Sequence, residues 1–372
     1  MTFRINEQLT GALFIAGQEF PLDYGNAMKT LHLRASSLIT LPELVLNFVD
    51  TLNQMPNYGL QDGAQILIQI NGGELQLTRK FRVQRWRRTP APQGFNYLLE
   101  CYQDAPKYWL GTDHASYQGS SAQVLQEIAS SCGLGWHDKN SNTSDAMLWM
   151  QSNRTFGNFA RDIARHGYIS DTSHMVLAVD SSGKLRYRDI NANPSPRVTV
   201  GYQVPSGGVT DFQQIVDFTP MTNSGTTNAI GGYAHSRYVQ PVADGSSSID
   251  QLEDELQFTP DAKYPLLSQD VRTKMGSGSV SFAPIDFGNT HDNYERAFYQ
   301  NSRYNLLNSL AGEFLFPFQT AWEPFDNFSL ALPAELDSTQ YGGEYTVRDK
   351  IIFIQGSTYN EKIIAVKNGL NK

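Results

Sequence analysis

Apolar and polar positions along this chain change period twice. Up to residue 109 they mostly alternate in twos, the signature of half-buried strands. The run QILIQI at residues 65–70 ends at Asn71-Gly72-Gly73 and is followed by ELQLT at 74–78, which predicts a hairpin. Two further alternating runs, 80–86 and 95–102, are separated by the turn-forming TPAPQG at 89–94. Residues 41–50, LPELVLNFVD, fit two templates. One is a helix with Pro42 in its first turn; the other is a strand with Leu44, Leu46 and Phe48 on one face. Period alone does not separate them.

Between residues 120 and 167 the period becomes helical. Ser120 and Gln123 form a capping box ahead of a helix whose inner face is Val124, Leu125, Ile128, Ala129 and Cys132, with Gly133 placed for a left-handed stop. After a polar spacer, Phe156, Phe159, Ala160, Ile163 and Ala164 make the stripe of a second helix, with Arg161, Asp162 and Arg165 outside and Gly167 ending it. The run HMVLAVDSSGKLRYRDI then reads as a hairpin closed by Asp180-Ser181-Ser182-Gly183.

Strand patterns resume after the junction Asn193-Pro194-Ser195-Pro196, at 197–202, 212–218 and 229–234. Residues 239–278 form a long polar excursion with an acidic patch at Asp250, Glu253, Asp254 and Glu255. A third, long helix is expected over 290–311, with Ala297, Phe298, Tyr304, Leu307, Leu310 and Ala311 inward and Gly312 as its stop. The remainder is strand-like, at 313–318, 328–332, 343–348, 350–355 and 362–367. The expected class is α+β, mainly β. Its units are a sheet domain over 1–112, a small helix–helix–hairpin α/β module over 113–195, and a second sheet domain over 196–372.

At 372 residues the chain is long enough for two or three domains. Twenty-nine Lys and Arg against 37 Asp and Glu give a net charge of −8, which argues against groove or phosphate binding to nucleic acid. Charged residues make up 18% of the chain, below the usual ~25%, so a surface covered by assembly partners is easily tolerated. Arg82, Arg85, Arg87 and Arg88 could form an anion site or simply an outward strand face. Two cysteines, Cys101 and Cys132, cannot build a disulfide framework. The first residues lack a secretory pattern, and no apolar run approaches the ~18 residues of a membrane span, so synthesis in a cytoplasm is expected.

Candidate chemistry is sparse. His32, His114, His137, His166, His174, His235 and His291 show no i, i+4 metal spacing, and no Cys-x-x-Cys, nucleophile elbow or phosphate loop occurs. Glu313, Asp326, Glu335 and Glu344 could supply a glycosidase-type carboxylate pair, because folding can join carboxylates without any sequence spacing. The bland reading is that they are solvated turn residues. No catalytic, cofactor-binding or metal-ligating residue is assigned, and no cofactor is expected.

The order of parts resembles the baseplate central hub of long-tailed bacteriophages, a plan shared with the hub half of type VI secretion spike proteins. Residues 60–70 (LQDGAQILIQI) are similar to the family's first-barrel turn and strand. SAQVLQEIA followed by Cys132-Gly133-Leu134 is similar to its first insert helix, and FGNFARDIA followed by Gly167 to its second. GKLRYRD at 183–189 resembles the strand after them. Ala297 in the long helix, then GEYTV at 343–347 and a final strand pair, resemble the second barrel. By this analogy residues 44–49 are a strand. The excursion 239–278 matches no family pattern.

The resemblance implies two tail-tube-like β-barrels per subunit and a homotrimer, so that a ring of three presents six similar barrels. Such a ring would join the tail tube, or a distal tail protein, to a central spike or tip. Its channel would pass DNA and meet the tape-measure protein, and acidic residues are expected to line it. Family spike proteins continue into a needle, so the spike is expected to be a separate partner. The implied location is the virion tail, assembled in the bacterial host. The rival functions are a tail-tip peptidoglycan hydrolase and a receptor-binding protein.

Overall fold

In a computed structural model the described residues are 10–22, 28–72, 75–137, 142–170, 173–190, 198–203, 211–222, 236–241, 248–251, 262–263, 280–285, 310–333, 336, 338–356, 358–367 and 370–371. The N-terminal part contributes β1 (Thr10–Ile15), β2 (Gln18–Leu22), β3 (Met28–Ser36), β4 (Glu43–Asp50), β5 (Gln65–Gly72), β6 (Leu75–Ala91) and β7 (Gly94–Gln103). The middle contributes α1 (Pro106–Leu110), β8 (Thr112–Gly119), α2 (Ser121–Ser131), β9 (Gly135–Trp136), β10 (Met147–Thr155), α3 (Phe156–His166), β11 (Met175–Val179) and β12 (Lys184–Asp189). Then follow β13 (Thr199–Gly201), β14 (Phe212–Gln214), β15 (Asp217–Thr222), β16 (Ser236–Pro241), β17 (Ser248–Gln251), β18 (Ala262–Lys263) and β19 (Val280–Ile285). The chain closes with β20 (Leu310–Phe316), β21 (Asn327–Ala331), α4 (Ser338–Tyr341), β22 (Gly343–Gln355), β23 (Thr358–Lys367) and β24 (Leu370–Asn371). The chain is mainly β, as its pattern predicts.

One sheet runs through both ends of the sequence, in the order β14-β13-β21-β22-β3-β4-β7-β6-β5-β1-β2, with β23, β20 and β15 branching from β22. The long strand β22 makes the join. Its first half pairs with β21 and its second half with β3, while β23 lies along its other edge. A bulge between Val347 and Asp349 explains why its pattern reads as two separate strands. The predicted strands 74–78 and 80–86 run together in β6, which pairs with β5 without a break from Leu75 to Arg82 and carries a bulge between Val83 and Arg85. Residues 43–50 settle as a strand, β4, with Leu44, Leu46 and Phe48 buried at period two.

Burial defines separate apolar clusters. One collects Leu13, Leu31, Leu46, Phe48, Ile68 and Leu99, together with Ile352, Ile354 and Tyr359 from β22 and β23. A second is built by the middle segment from Leu125, Ile128, Trp149, Phe159, Ile163 and Tyr187. A third lies in the C-terminal sheet around Phe314, Phe316, Trp322, Phe328 and Tyr345.

Several sequence expectations change here. The spacer between the two long helices contains β10, which pairs antiparallel with β8; β8 is mostly polar, and β10 buries Trp149 and Gln151 while exposing Met150, so neither sequence shows a plain apolar–polar alternation. The helix expected over 290–311 does not reach its predicted end, since Leu310 and Ala311 are buried in β20 opposite Lys367 and Val366 of β23. Gly312 therefore sits in a strand. The rest of that predicted helix lies outside the described residues, as does the strand predicted at 229–234. The excursion 239–278 includes strand at 239–241, 248–251 and 262–263, with β16 pairing β17 and β19, and β18 pairing β24. Its other residues lie outside those described.

Candidate functional site

The middle segment is built much as its pattern predicts. Ser120 accepts from the Gln123 amide while the Gln123 side chain accepts from the Ser120 amide, a complete capping box. Helix α2 ends where Leu134 N–H bonds Ala129 O and Gly133 N–H bonds Ser130 O, with Gly133 at φ +76°. Helix α3 starts on Thr155 and stops at Gly167, but this glycine is extended rather than left-handed. It is required by space: a Cβ there would lie 1.7 Å from the Tyr187 hydroxyl. In the β11–β12 turn, one Asp180 carboxylate oxygen accepts from the Ser182 and Lys184 amides and from the Ser182 hydroxyl, as turn aspartates do.

The β11–β12 hairpin is buried on both faces. Met175, Leu177 and Val179 face the helices, whereas Val176 and Ala178 pack with Ala311, Phe325 and Val366 of the C-terminal part. The same hairpin carries charges into that second interface. Arg186, 1% exposed, donates to Pro324 O at 2.8 Å and to the two Asp326 oxygens at 2.6 and 3.2 Å. Arg188 donates to Phe325 O and to Asp326, both at 3.1 Å. Phe325 holds φ at +74°, an unusual conformation for a bulky residue, and in it both flanking carbonyls meet arginine donors. Burial alone would raise the Asp326 carboxyl. The hydrogen bonds and charge of Arg186, the Glu323 amide and the charge of Arg188 outweigh it and hold that pKa below the ordinary value.

A second arm of the network extends from Ser181 in the hairpin turn. Its amide donates to Glu323 at 2.8 Å, its hydroxyl bonds the other Glu323 oxygen, and its carbonyl accepts from Arg79 of β6 at 2.9 Å. Glu323 in turn meets Lys350 of β22 at 3.3 Å; the Lys350 ammonium also donates to Thr320 O at 2.9 Å and lies 3.8 Å from Glu361 of β23. Thr320 and Tyr359 hydroxyls complete the shell of Glu361, whose carboxyl burial nevertheless pushes up. The module turn, the N-terminal sheet, the segment 320–326 and β22–β23 thus converge on one charged lock.

Among the described residues the candidate catalytic groups have separate surroundings. Glu313 pairs with Lys362, Asp326 belongs to the lock, Glu344 is exposed, and Glu335 lies outside the described residues. Among the described residues no group of three metal-ligating side chains occurs. Cys101 and Cys132 are both free and buried. Of the arginine cluster, Arg82 pairs with Asp104, Arg85 with Glu100, and Arg88 bonds Asn53 while lying 3.5 Å over the Phe95 ring. That is an outward strand face answered by its own neighbours. No helix of the described residues is long and apolar enough to cross a membrane.

No protein-family profile and no curated protein sequence matches the chain. Solved structures do. The tail protein from Neisseria meningitidis MC58 is 8% identical, superposes with a TM-score of 0.61 and covers 96% of each chain. The 43 kDa tail protein of prophage MuSo2 from Shewanella oneidensis is 9% identical at a TM-score of 0.58, covering 98% of this chain and all of that one. A chain of the Francisella PdpA–VgrG complex, 10% identical at 0.55, covers 99% of this chain with 59% of its own length. The fold is that of phage tail proteins. The resemblance to baseplate hub proteins drawn from the sequence holds at that level.

Proposed function

We propose that this chain is a structural hub subunit of a phage tail. Three copies close into a ring in which the two sheet units of each subunit, 1–112 and 196–372, act as tube-like barrels around one channel. The module 113–195 holds them at a fixed angle. A ring of this kind seats the tail tube or a distal tail protein on one face and a spike or tip on the other. DNA and the tape-measure protein pass through its bore. It works in the virion tail, without catalysis, after assembly in the bacterial host.

The observation that supports this reading best is the lock. A hairpin buried on both faces and pinned by Arg186 and Arg188 on Asp326 resists bending between the units it joins. Three subunits can behave as six only if that angle is constant. The tail-protein fold of the similar structures agrees with a scaffold. Negative-stain microscopy of the purified protein tests it: rings with six lobes and a central hole are expected, and fields of isolated particles would overturn it. Release of soluble muropeptides from cell walls would favour a hydrolase instead, and binding to intact cells a receptor-binding protein.

A further inference from the structure

Beside the loop joining β3 to β4 lies a cleft of about 390 Å³, bordered by Leu38, Leu41, Glu43, Tyr102, Trp109 and Asn158. The tertiary fold alone creates it. Thr40 from the loop and Tyr108 from α1 close on Gly157 of α3, leaving the space between loop and helices unfilled. Three features of its wall are chemically specific. The Tyr102 and Trp109 rings meet with centroids 5.1 Å apart at 52°, an aromatic corner. Glu43 stands opposite Tyr102 in the β4–β7 ladder, and among the described residues its carboxylate has no ion-pair partner. On its other side the nearest strand neighbour is Arg34, whose Nη2 donates to Asp349 at 3.0 Å while its buried Nε makes no hydrogen bond. The indole N–H of Trp109 is buried and has no acceptor.

A carboxylate beside aromatic faces attracts a cation, and a planar, weakly hydrated guanidinium suits such faces better than an ammonium. At the rim, Leu38 is 50% exposed. We propose that this cleft is a docking site for an arginine side chain of a partner protein, presented on an extended segment with apolar neighbours. The guanidinium meets Glu43 and the two rings, and a flanking apolar side chain covers Leu38. This site stands apart from the lock and does not depend on the hub reading.

The test uses the full chain with ¹⁵N-labelled tryptophan, whose five indole signals are resolved by NMR and the Trp109 signal assigned from a Trp109→Phe sample. The probe is the capped peptide Ac-Leu-Arg-Leu-NH₂, and the control replaces arginine by its neutral isostere citrulline. A saturable shift of the Trp109 signal is expected, weakened roughly tenfold with citrulline and in the Glu43→Gln protein. The other four signals report whether that variant is folded. No shift, or equal responses to the two peptides, would overturn the proposal. So would movement of the Trp109 signal on diluting the protein alone, which would mean that a second copy fills the cleft.

Discussion

Replacing Asp326 by Ala removes the acceptor shared by Arg186, Arg188 and the Glu323 amide. Arg186, 1% exposed, loses both of its hydrogen bonds to this carboxylate while its bond to the Pro324 carbonyl stays. Breaking one side of a buried ion pair typically costs about 3–5 kcal/mol. Asp326 itself is 27% exposed, so water reaches the vacated space and the lower end, about 3 kcal/mol, is expected. Urea unfolding followed by tryptophan fluorescence measures it. The pair Arg186→Met with Asp326→Leu should cost less than the two single changes summed, by at least about 1 kcal/mol, because the fully buried charge then leaves together with its partner. The pH dependence has a definite sign. Since the folded pKa of Asp326 lies below its unfolded value, its contribution is complete above the unfolded value and fades as pH falls through the folded one. Wild type and Asp326→Ala should therefore converge in strong acid. A cost under about 1 kcal/mol at neutral pH, or strict additivity, would refute the lock as a stabilising joint.

Other expectations concern single positions. Gly167→Ala drives a methyl group into the Tyr187 hydroxyl and should lower stability by more than about 2 kcal/mol, whereas Gly133→Ala meets open space and should cost only the left-handed penalty of about 1 kcal/mol; thermal unfolding of the two variants compares them. Ser120→Ala breaks the capping box of α2 and should cost about 1 kcal/mol by the same assay. Burial lowers Lys367, whose ammonium donates to Gly342 O at 2.6 Å, to about 8. Its side-chain carbon signals should titrate there by NMR, and its share of stability should rise as pH increases from about 8 toward the unfolded value of 10.5.

The middle segment was readable because its determinants are local. A capping box, a glycine at a left-handed stop and a stripe at helical period lie within a few residues of what they control. Strand β4 needed the family resemblance, since Leu44, Leu46 and Phe48 satisfy a helix and a strand alike until β3 and β7 pair on either side. Strands β8 and β10 were missed because their sequences do not show the alternation their burial has: β8 is mostly polar, and in β10 the buried positions are Trp149 and the polar Gln151 while Met150 is exposed. The lock was also out of reach. Arg186 and Arg188 alternate with Leu185 and Tyr187 as a solvated face would, and only residues 320–326, some 140 positions later, bury them. Asp326 was singled out as a carboxylate, but nothing near it in sequence names its partners.

The central claim is that three copies of this rigid two-unit subunit close into one ring. Light scattering on the purified 372-residue chain, run across a dilution series, is the decisive measurement. A species of three times 41.6 kDa is expected in the wild type, weakened in Asp326→Ala as the angle between the sheet units loosens. A wild-type mass of 41.6 kDa at every concentration would contradict it.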